Sequence, residues 1–251
     1  MNIFHGRNDL IKWDELNWKE FDRLVPFEYD TCILPVGTIE AHGCTNLGTD
    51  NTIPIGISER IADRFKAVVA PIVPYGITRT LLEYPGSLTI SPEVFQAYMT
   101  DLMESISRAG FEKLVVINGH GGNNDALKNA AFDVSSATGL RIVVIHWWIL
   151  AENVVKEVYG ERGGHAALDE TAAIIALRPD LVRQPDYDAK DVYLFNPGAY
   201  AIPSPSPTVI YNQGEGYLNF DQTKADEYFS KLCENIIVFL ADVFERWQKI
   251  I

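Results

Sequence analysis

Short apolar runs alternate with longer amphipathic stretches along much of the chain. Four of these runs predict strands, at Thr31–Val36, Ala67–Val73, Lys113–Ile117 and Arg141–Ile145. Runs without polar alternation are typical of parallel strands that helices cover on both faces. Because the runs alternate with helical stretches, the pattern favours βαβ units around a parallel sheet.

The amphipathic stretches predict helices, some with clear boundary signals. Ser91 and Pro92 are typical of a helix cap and of the first helical position, and Gly110 is expected to end that helix. Asp221 offers a cap for the last helix. The predicted helices are Trp18–Leu24, Asn51–Phe65, Pro92–Ala109, Asn124–Ser136, Ala151–Tyr159, Ala167–Leu177 and Thr223–Trp247.

The pattern breaks down between residues 184 and 220, where five prolines exclude long helices. We expect irregular structure or short edge strands in this segment, serving as a lid or as a contact between subunits. No repeat and no linker divides the chain. The sequence therefore predicts one α/β domain over residues 1–251 with a mostly parallel central sheet.

Composition narrows the possible partners and the compartment. The chain has 34 acidic and 21 basic residues, a net charge of −13, which argues against nucleic acid or an anionic membrane as partner. No apolar run approaches the roughly 18 residues of a membrane helix, and Met1–Trp13 lacks the apolar core of a secretory signal. Cys32, Cys44 and Cys233 are scattered, which favours a reducing cytoplasm over a disulfide framework.

The first candidate site follows the predicted strand Thr31–Val36, and ligands bind at such strand ends in open parallel sheets. Glu40 and His42 are two residues apart, so in an extended loop they can face the same side, and Asp50 adds a carboxylate able to bridge two metals. Mixed imidazole and carboxylate ligands suit zinc, manganese or iron(II). The alternative is that both acids cap turn amides and His42 is an ordinary loop histidine.

A second candidate site follows the predicted strand Lys113–Ile117, in the sequence Asn-Gly-His-Gly-Gly-Asn at residues 118–123. The glycines allow a sharp turn and close approach of a ligand, and His120 at a strand end suits a metal ligand. A phosphate-binding glycine loop is the rival interpretation. The segment lacks both the dinucleotide glycine spacing and the lysine of a nucleotide-binding loop.

The third candidate site is His165 with Asp169 and Glu170, at the start of a predicted helix. Alone, the two acids would be expected to stabilise the helix N-terminus. Taken with the other two loops, they favour a functional role, because His42, His120 and His165 all lie in glycine-containing loops near strand or helix ends.

The remaining histidines, His5 and His146, lie outside such loops. Trp147 and Trp148 follow the predicted strand Arg141–Ile145 and so approach the same edge of the sheet. Either tryptophan could line a substrate pocket, or pack in the core or in a subunit interface.

Together these loops resemble the creatininase family, with further similarity at residues 73–76, 84–88 and 214–216. The resemblance covers nearly the whole chain in the expected order. It implies an α/β/α sandwich, a two-metal centre of zinc, manganese or iron(II), and a homo-oligomer, usually a hexamer built from dimers. The implied activity is an amidohydrolase that acts on a small-molecule substrate with a non-peptide C–N bond.

By position, four residues match the family's metal ligands: Glu40, His42, Asp50 as the bridge, and His120. In creatininase itself a glutamate two residues after the loop histidine completes the second metal, and here that place is Gly122. Glu170 is the predicted substitute. His165 matches a histidine that performs acid–base chemistry, so the resemblance makes His165 and Glu170 the candidate catalytic residues.

The chain departs from the family where the substrate would bind. The family commonly has glutamine at the place of Ala41, a proline–histidine pair at Cys44-Thr45, and a glutamate–histidine pair at Thr80-Leu81. We therefore expect a substrate other than creatinine.

These observations predict a metal-dependent amidohydrolase of a small cyclic amide or formamide. Two divalent ions would share Asp50 and a water whose pKa falls from ~16 toward ~7, and His165 or Glu170 would move the proton to the leaving nitrogen. A metal-dependent phosphohydrolase is an alternative, against which the lack of an obvious arginine or lysine near the loops weighs. Another is a metal- or ligand-binding protein on the same scaffold without catalysis.

Overall fold

The computed structural model describes residues 10–250, so His5 and most of the stretch Met1–Trp13 lie outside the described residues. In the described part, the central sheet has the strand order β1-β3-β2-β4-β5, and every pairing is parallel. The strands are β1 Ile11–Lys12, β2 Thr31–Val36, β3 Ala67–Val69, β4 Lys113–Asn118 and β5 Arg141–His146.

Helices cover both faces of this sheet, which confirms the expected α/β/α sandwich with a parallel sheet. They are α1 Trp18–Leu24, α2 Thr49–Ile61, α3 Pro92–Arg108, α4 Asn124–Thr138, α5 Trp147–Leu150, α6 Glu152–Tyr159, α7 Leu168–Leu177 and α8 Gln222–Trp247. Short 3-10 turns lie at Trp13–Glu15, Ala62–Phe65, Gly121–Asn123, Pro179–Leu181, Gln184–Asp186 and Ala189–Asp191. No helix among residues 10–250 is long and apolar enough to cross a membrane.

Two apolar cores lie on opposite faces of the sheet. Side chains alternate along β2, so Ile33 joins the core formed with α2, α6, α7 and α8, whereas Leu34 joins the core formed with α1, α3 and α4. All six residues of β2 are buried, as expected for a central parallel strand.

The sheet register determines where the first two candidate loops meet. Strands β2 and β4 are neighbours, and Val36 at the end of β2 pairs with Asn118 at the end of β4. The two loops therefore leave the sheet side by side. On the other side of β4, Asn118 pairs with His146 at the end of β5, so this strand end lies at the same edge.

Helix boundaries agree with the predicted ones to within four residues, and α1 matches its prediction at both ends. Asp221 caps α8 by accepting from the Lys224 amide, and Pro92 begins α3, as predicted. The Ser91 side chain, however, forms no capping hydrogen bond. Strand β3 ends at Val69, earlier than predicted, and only an isolated bridge between Val36 and Val73 continues it.

A second, small sheet was not predicted in detail. It has the order β6-β8-β7, from β6 Gly164–His165, β7 Tyr193–Leu194 and β8 Val209–Ile210, with β6 antiparallel to β8. Two of its strands lie in the proline-containing segment 184–220, where short strands were one of the expectations. The sheet attaches this segment to the loop that carries His165.

Candidate metal centre

Asp50 lies between the ends of β2 and β4, because two glycines leave room for the start of α2. A Cβ atom on either Gly37 or Gly119 would overlap the backbone carbonyl of Asp50. The first turn of α2 can therefore pack directly against both strand ends. This placement brings the Asp50 carboxylate, which is 2% exposed, to the centre of the cluster.

Each oxygen of Asp50 faces a different histidine. Asp50 Oδ1 lies 2.9 Å from His42 Nε2, and Asp50 Oδ2 lies 2.9 Å from His120 Nδ1. Glu170 Oε2 lies 3.5 Å from His42 Nε2, and Glu40 Oε2 lies 3.5 Å from His120 Nδ1. The four side chains around Asp50 thus divide into two pairs, one on each carboxylate oxygen.

Backbone carbonyls orient both histidine rings. His42 Nδ1 lies 3.0 Å from the Glu40 carbonyl, and His120 Nε2 lies 2.9 Å from the Ile77 carbonyl. Since a carbonyl only accepts, the ring nitrogen facing it must donate its proton. In the neutral ring the other nitrogen of each histidine then presents a lone pair to Asp50, which is the arrangement of a histidine that ligates a metal.

Buried polar atoms without hydrogen-bond partners make this cluster suitable for a metal ion. His42 Nε2 and Asp50 Oδ2 are buried and have no hydrogen-bond partner of acceptable geometry, although each lies close to a ligand-type atom. Three sets of possible ligands have donor atoms within 4.8 Å of one another: Glu40, Asp50 and His120 in the first, His42, Asp50 and Glu170 in the second, and Glu40, His42 and His165 in the third. The first two sets share only Asp50, and the third brings His165 next to a ligand of each.

The loop before α7 brings Glu170 and His165 to the same cluster. Ala166 adopts a left-handed conformation with φ of 50°, and its amide donates to Glu170 Oε2 at 2.6 Å. His165 Nε2 lies 3.2 Å from the Ala41 carbonyl, so this nitrogen donates and Nδ1 carries the lone pair of the neutral ring. The His42 and His165 rings have centroids 4.4 Å apart.

Gly122 cannot carry the ligand that creatininase has at this place. A Cβ atom on Gly122 would overlap the Ile77 carbonyl, and would lie 2.6 Å from His120 Nε2. The second ligand set contains Glu170 instead. The close packing of Gly122 thus leaves no room for a side chain at this position.

Burial and the charges of neighbouring side chains determine the pKa values of the cluster when no metal is bound. Burial alone would lower the pKa of both histidines, but Asp50 and neighbouring glutamates raise the pKa to about 10 for His42 and about 9 for His120. Burial raises the pKa of Glu170 to about 8. Burial would also raise the pKa of Asp50, but the two histidines hold it below its ordinary value. A cation would therefore compete with protons for this cluster.

His165 differs from the other two histidines. Burial, together with nearby His42, lowers the pKa of His165 to about 3. The ring is therefore neutral at physiological pH, with its Nδ1 lone pair 3.9 Å from Glu40 Oε2. The unprotonated ring nitrogen of His165 therefore faces the buried carboxylate cluster.

A cavity of about 650 Å³ opens onto this cluster. Glycines of the second loop form part of its wall, and the opposite wall comes from the segment of residues 193–212. Aromatic side chains line it: Trp148, Tyr193, Phe195, Tyr200 and Tyr211. Trp148 is thus a pocket residue, whereas Trp147 is fully buried in the core, which resolves the two interpretations of this pair.

The cavity wall also contains arginine, because Arg79 and Arg162 both line it. The expectation that no basic residue lies near the three loops is therefore wrong. Arg162 directly precedes Gly163 of the third loop, so the sequence itself shows its proximity. Arg79 comes from the connection after β3, and only the fold brings it to the cavity.

Comparison with known proteins identifies the family. A family model described as creatinine amidohydrolase matches residues 14–237. The chain belongs to the creatininase family. It is a metal-dependent hydrolase of the amidohydrolase type, as that membership and the buried histidine–carboxylate cluster together indicate.

Curated relatives are moderately similar to the chain. A creatinine amidohydrolase of Pseudomonas putida is 28% identical over 189 residues, which are 67% of this chain and 72% of the relative. A 3-dehydro-scyllo-inosose hydrolase of Thermotoga maritima is 26% identical over 62% of this chain and 52% of the relative. A mycofactocin precursor peptide peptidase of Mycolicibacterium smegmatis is 32% identical over 39% and 42% of the two chains.

Solved creatininase structures share the fold. A mutant creatininase of the Zn–Zn type superposes with a TM-score of 0.81 at 22% identity, over 94% of this chain and 98% of that chain. A manganese creatininase has a TM-score of 0.79 at 23% identity, over 94% and 99% of the two chains. These comparisons confirm the creatininase-like sandwich that the sequence predicted.

Some residues of the centre were not recognised from the sequence. The Asn123 side chain accepts from the Ile77 amide at 3.0 Å and donates to the Gly37 carbonyl at 3.2 Å, so it joins three loops. Asn123 belongs to the second motif, but nothing in its spacing reveals this bridging role. The Ile77 carbonyl that orients His120 lies just after the Val73–Gly76 similarity, which was the one available signal.

Proposed function

We propose that the protein hydrolyses a C–N bond of a small cyclic amide or formamide, using two divalent ions that share Asp50. The observation that supports this most directly is that two of the three ligand sets have Asp50, and no other residue, in common. In this proposal Glu40, Asp50 and His120 hold one ion, and His42, Asp50 and Glu170 hold the other. Zinc, manganese or iron(II) suits such mixed nitrogen and oxygen ligands.

When bound, the ions would supply an activated water and a Lewis acid for the carbonyl oxygen. The chain's own residues would position the reacting groups and move the proton. His165 is proposed as the proton carrier, because its Nε2 is held by the Ala41 carbonyl and its Nδ1 is left with a lone pair. It would take a proton from the attacking water and deliver it to the leaving nitrogen.

Of the two roles predicted for Glu170, the geometry favours that of a ligand. Its Oε2 already accepts from the Ala166 amide and faces His42 Nε2 at 3.5 Å, which fixes the carboxylate at the second set. A group that shuttles protons needs freedom to exchange them, whereas this carboxylate is buried and oriented. His165 lines the cavity as well and has its Nδ1 left with a lone pair, so we assign that step to it.

The proposed substrate is a small molecule other than creatinine. Thr80 and Leu81, which replace a glutamate–histidine pair of many family members, both line the cavity. The proposal also includes assembly as a homo-oligomer, a hexamer by family resemblance, and a cytoplasmic location, for which the three free cysteines argue.

A hydrolysis screen on metal-reconstituted protein tests the proposal. The panel contains formamides, cyclic amides and phosphomonoesters, each with zinc, manganese or iron(II). We expect turnover of at least one amide or formamide that is lost on chelation and restored by metal. Tight metal binding without turnover of any amide would instead favour a non-catalytic protein, and turnover of phosphomonoesters alone would favour a phosphohydrolase.

A further inference from the structure

Arg79 and Thr80 present unused polar groups to the cavity. Both line its wall and both are exposed. Neither side chain forms a hydrogen bond or an ion pair with any residue between 10 and 250. Arg162 on the same wall is different, because its Nε lies 3.3 Å from Glu152 Oε1. Within the described residues, Arg79 is thus the cavity arginine whose charge is not neutralised.

The backbone holds Arg79 close to the metal centre. The Ile77 carbonyl accepts from His120 Nε2, and Arg79 follows two residues later, a span of at most about 7 Å of backbone. On the other side, the Thr80 carbonyl accepts from the Ser204 amide at 2.7 Å. The loop is therefore fixed at both ends, to the metal centre and to the opposite cavity wall.

The size of the cavity leaves space for more than one reacting group. About 650 Å³ lies within the range of pockets that hold drug-sized ligands, roughly 300–1,000 Å³. An unpaired guanidinium in such a place can bind a carboxylate or phosphate through two parallel hydrogen bonds, and a neighbouring hydroxyl can donate a third.

The negative net charge of the chain strengthens the case that Arg79 binds an anion. With a net charge of −13, the protein repels anions at long range, and acids such as Glu152 and Asp169 also line the cavity. An anionic substrate would therefore need a specific local partner. Arg79 would supply one at a fixed distance from the metal centre.

We propose that Arg79 and Thr80 form a subsite for an anionic group, a carboxylate or a phosphate, on the substrate whose C–N bond lies at the metal centre. This inference rests on the proposed function and specifies its substrate class. The subsite also assigns a role to Thr80, which lies at one of the positions where this chain departs from the family pattern.

Aryl hydroxamates test the subsite without requiring turnover. Benzohydroxamate, its para-carboxylate and its para-phosphate carry the same metal-binding group and differ in the para substituent that would reach Arg79. Dissociation constants are measured by calorimetry on zinc-reconstituted protein. We expect one anionic probe to bind about 10- to 100-fold more tightly than the neutral probe, the effect of a charge-assisted hydrogen bond. Comparison of the two anions distinguishes carboxylate from phosphate.

Arginine variants test whether Arg79 causes the difference in affinity between the anionic and neutral probes. Arg79→Gln should reduce the ratio of anionic to neutral affinity to about one while leaving zinc content unchanged, and Arg79→Lys should restore part of it. Arg64→Gln, which removes an exposed arginine outside the cavity, should keep the full ratio.

A ratio near one in the unmodified protein, or a high ratio that survives Arg79→Gln, would overturn the subsite. Failure of the neutral hydroxamate to bind zinc-loaded protein would instead overturn the metal centre, and so would count against the proposed function itself. Hydrolysis of neutral amides with an equal affinity for all three probes would leave the proposed function standing without the subsite.

Discussion

Asp50 can lie between two strand ends because the residues next to it there are glycines, which have no side chain. Gly37 and Gly119 admit its backbone between two strand ends, and each of its carboxylate oxygens then faces one histidine at 2.9 Å. Because both histidine rings are oriented by backbone carbonyls, the nitrogens that would ligate a cation already face Asp50 before it binds and displaces their protons. Preorganisation of this kind reduces the free-energy cost of assembling a metal site.

The second ion is proposed to depend on Glu170. We expect Glu170→Gln to lower the metal content from about two ions per chain to about one, because an amide oxygen is a weaker ligand than a carboxylate for these cations. Elemental analysis after dialysis measures this. Glu152→Gln is the matched control, since Glu152 lines the same cavity but lies outside all three ligand sets. Two retained ions in the Glu170 variant would show that another residue completes the second site.

His165 is proposed to move protons and not to hold a metal. His165→Ala should therefore lower kcat by roughly 10²- to 10⁴-fold, the usual contribution of acid–base catalysis, while both ions remain bound. Steady-state kinetics on an amide identified by the screen, with metal analysis of the same sample, provide the measurement. Loss of a metal ion from this variant would place His165 among the ligands instead.

Candidate site residues could be predicted from the sequence where they lie within a short motif. Glu40, His42, Asp50, His120 and Glu170 could be selected because each lies in a glycine-containing loop or at a helix start after a predicted strand. That selection rested on motif context, and their roles as ligands stay a prediction. Arg79 could not be selected, because only the fold brings its loop to the cavity, and spacing along the chain carries no sign of that contact.

Among the secondary-structure elements, the connection between β4 and α4 depends most on close packing. A Cβ atom on Gly119 would overlap the Asp50 carbonyl and lie 2.6 Å from Pro54 Cγ, both in α2. We expect Gly119→Ala to destabilise the fold by about 1–3 kcal/mol, the usual cost of overpacking, and to weaken metal binding by separating His120 from Asp50. Thermal unfolding and metal titration measure the two effects.

Gly121 provides the control two residues away. A Cβ atom there meets only Trp148, at 3.8 Å, which is ordinary van der Waals contact. Gly121→Ala should therefore change the free energy of unfolding by no more than about 0.5 kcal/mol, as neutral substitutions do. Equal destabilisation by both alanines would mean that the loop tolerates no side chain at all, and that contact with α2 is not the cause.

Elements of six residues or more were largely predictable, and very short ones were not. Strands β2, β4 and β5 form continuous apolar runs, so their burial on both faces can be inferred from the sequence. Strands β1, β6, β7 and β8 contain two residues each, too few for a periodic pattern. Their pairing depends on tertiary contacts that a local pattern does not encode.

At the scale of the whole molecule, the cluster couples stability to pH. In the metal-free protein the pKa values of His42 and His120 are raised to about 10 and about 9, and that of Glu170 to about 8. A raised folded pKa stabilises the fold below the unfolded pKa, which is about 6.5 for histidine and about 4.3 for glutamate, and this contribution is lost as pH rises through the folded value. We therefore expect metal-free protein to lose stability between about pH 5 and pH 10.

Metal-loaded protein should behave differently over the same range. Since cations replace protons on His42 and His120, metal affinity should increase with pH, and the stability gained from binding should increase with it. Unfolding temperatures of chelated and zinc-loaded samples, measured across pH at fixed free zinc, give the comparison. Parallel profiles for the two samples would show that no cation binds at these histidines.

The fold class and family of the whole chain could be predicted, whereas the extent of the domain and the assembly stay predictions. Alternating strands and helices specify a sandwich, and the match over residues 14–237 confirms the family. A hexamer would require surfaces on several elements at once, and exposed apolar residues such as Trp18 and Phe27 do not reveal which of them pack together.

The central claim is that two ions share Asp50, with Glu170 on the second. Anomalous diffraction from crystals of zinc-reconstituted protein tests it most directly, because it locates each ion and its ligands. We expect two zinc peaks, one next to Glu40 and His120 and one next to His42 and Glu170, with an Asp50 oxygen on each. A single peak, or two peaks of which neither contacts Glu170, would contradict the claim.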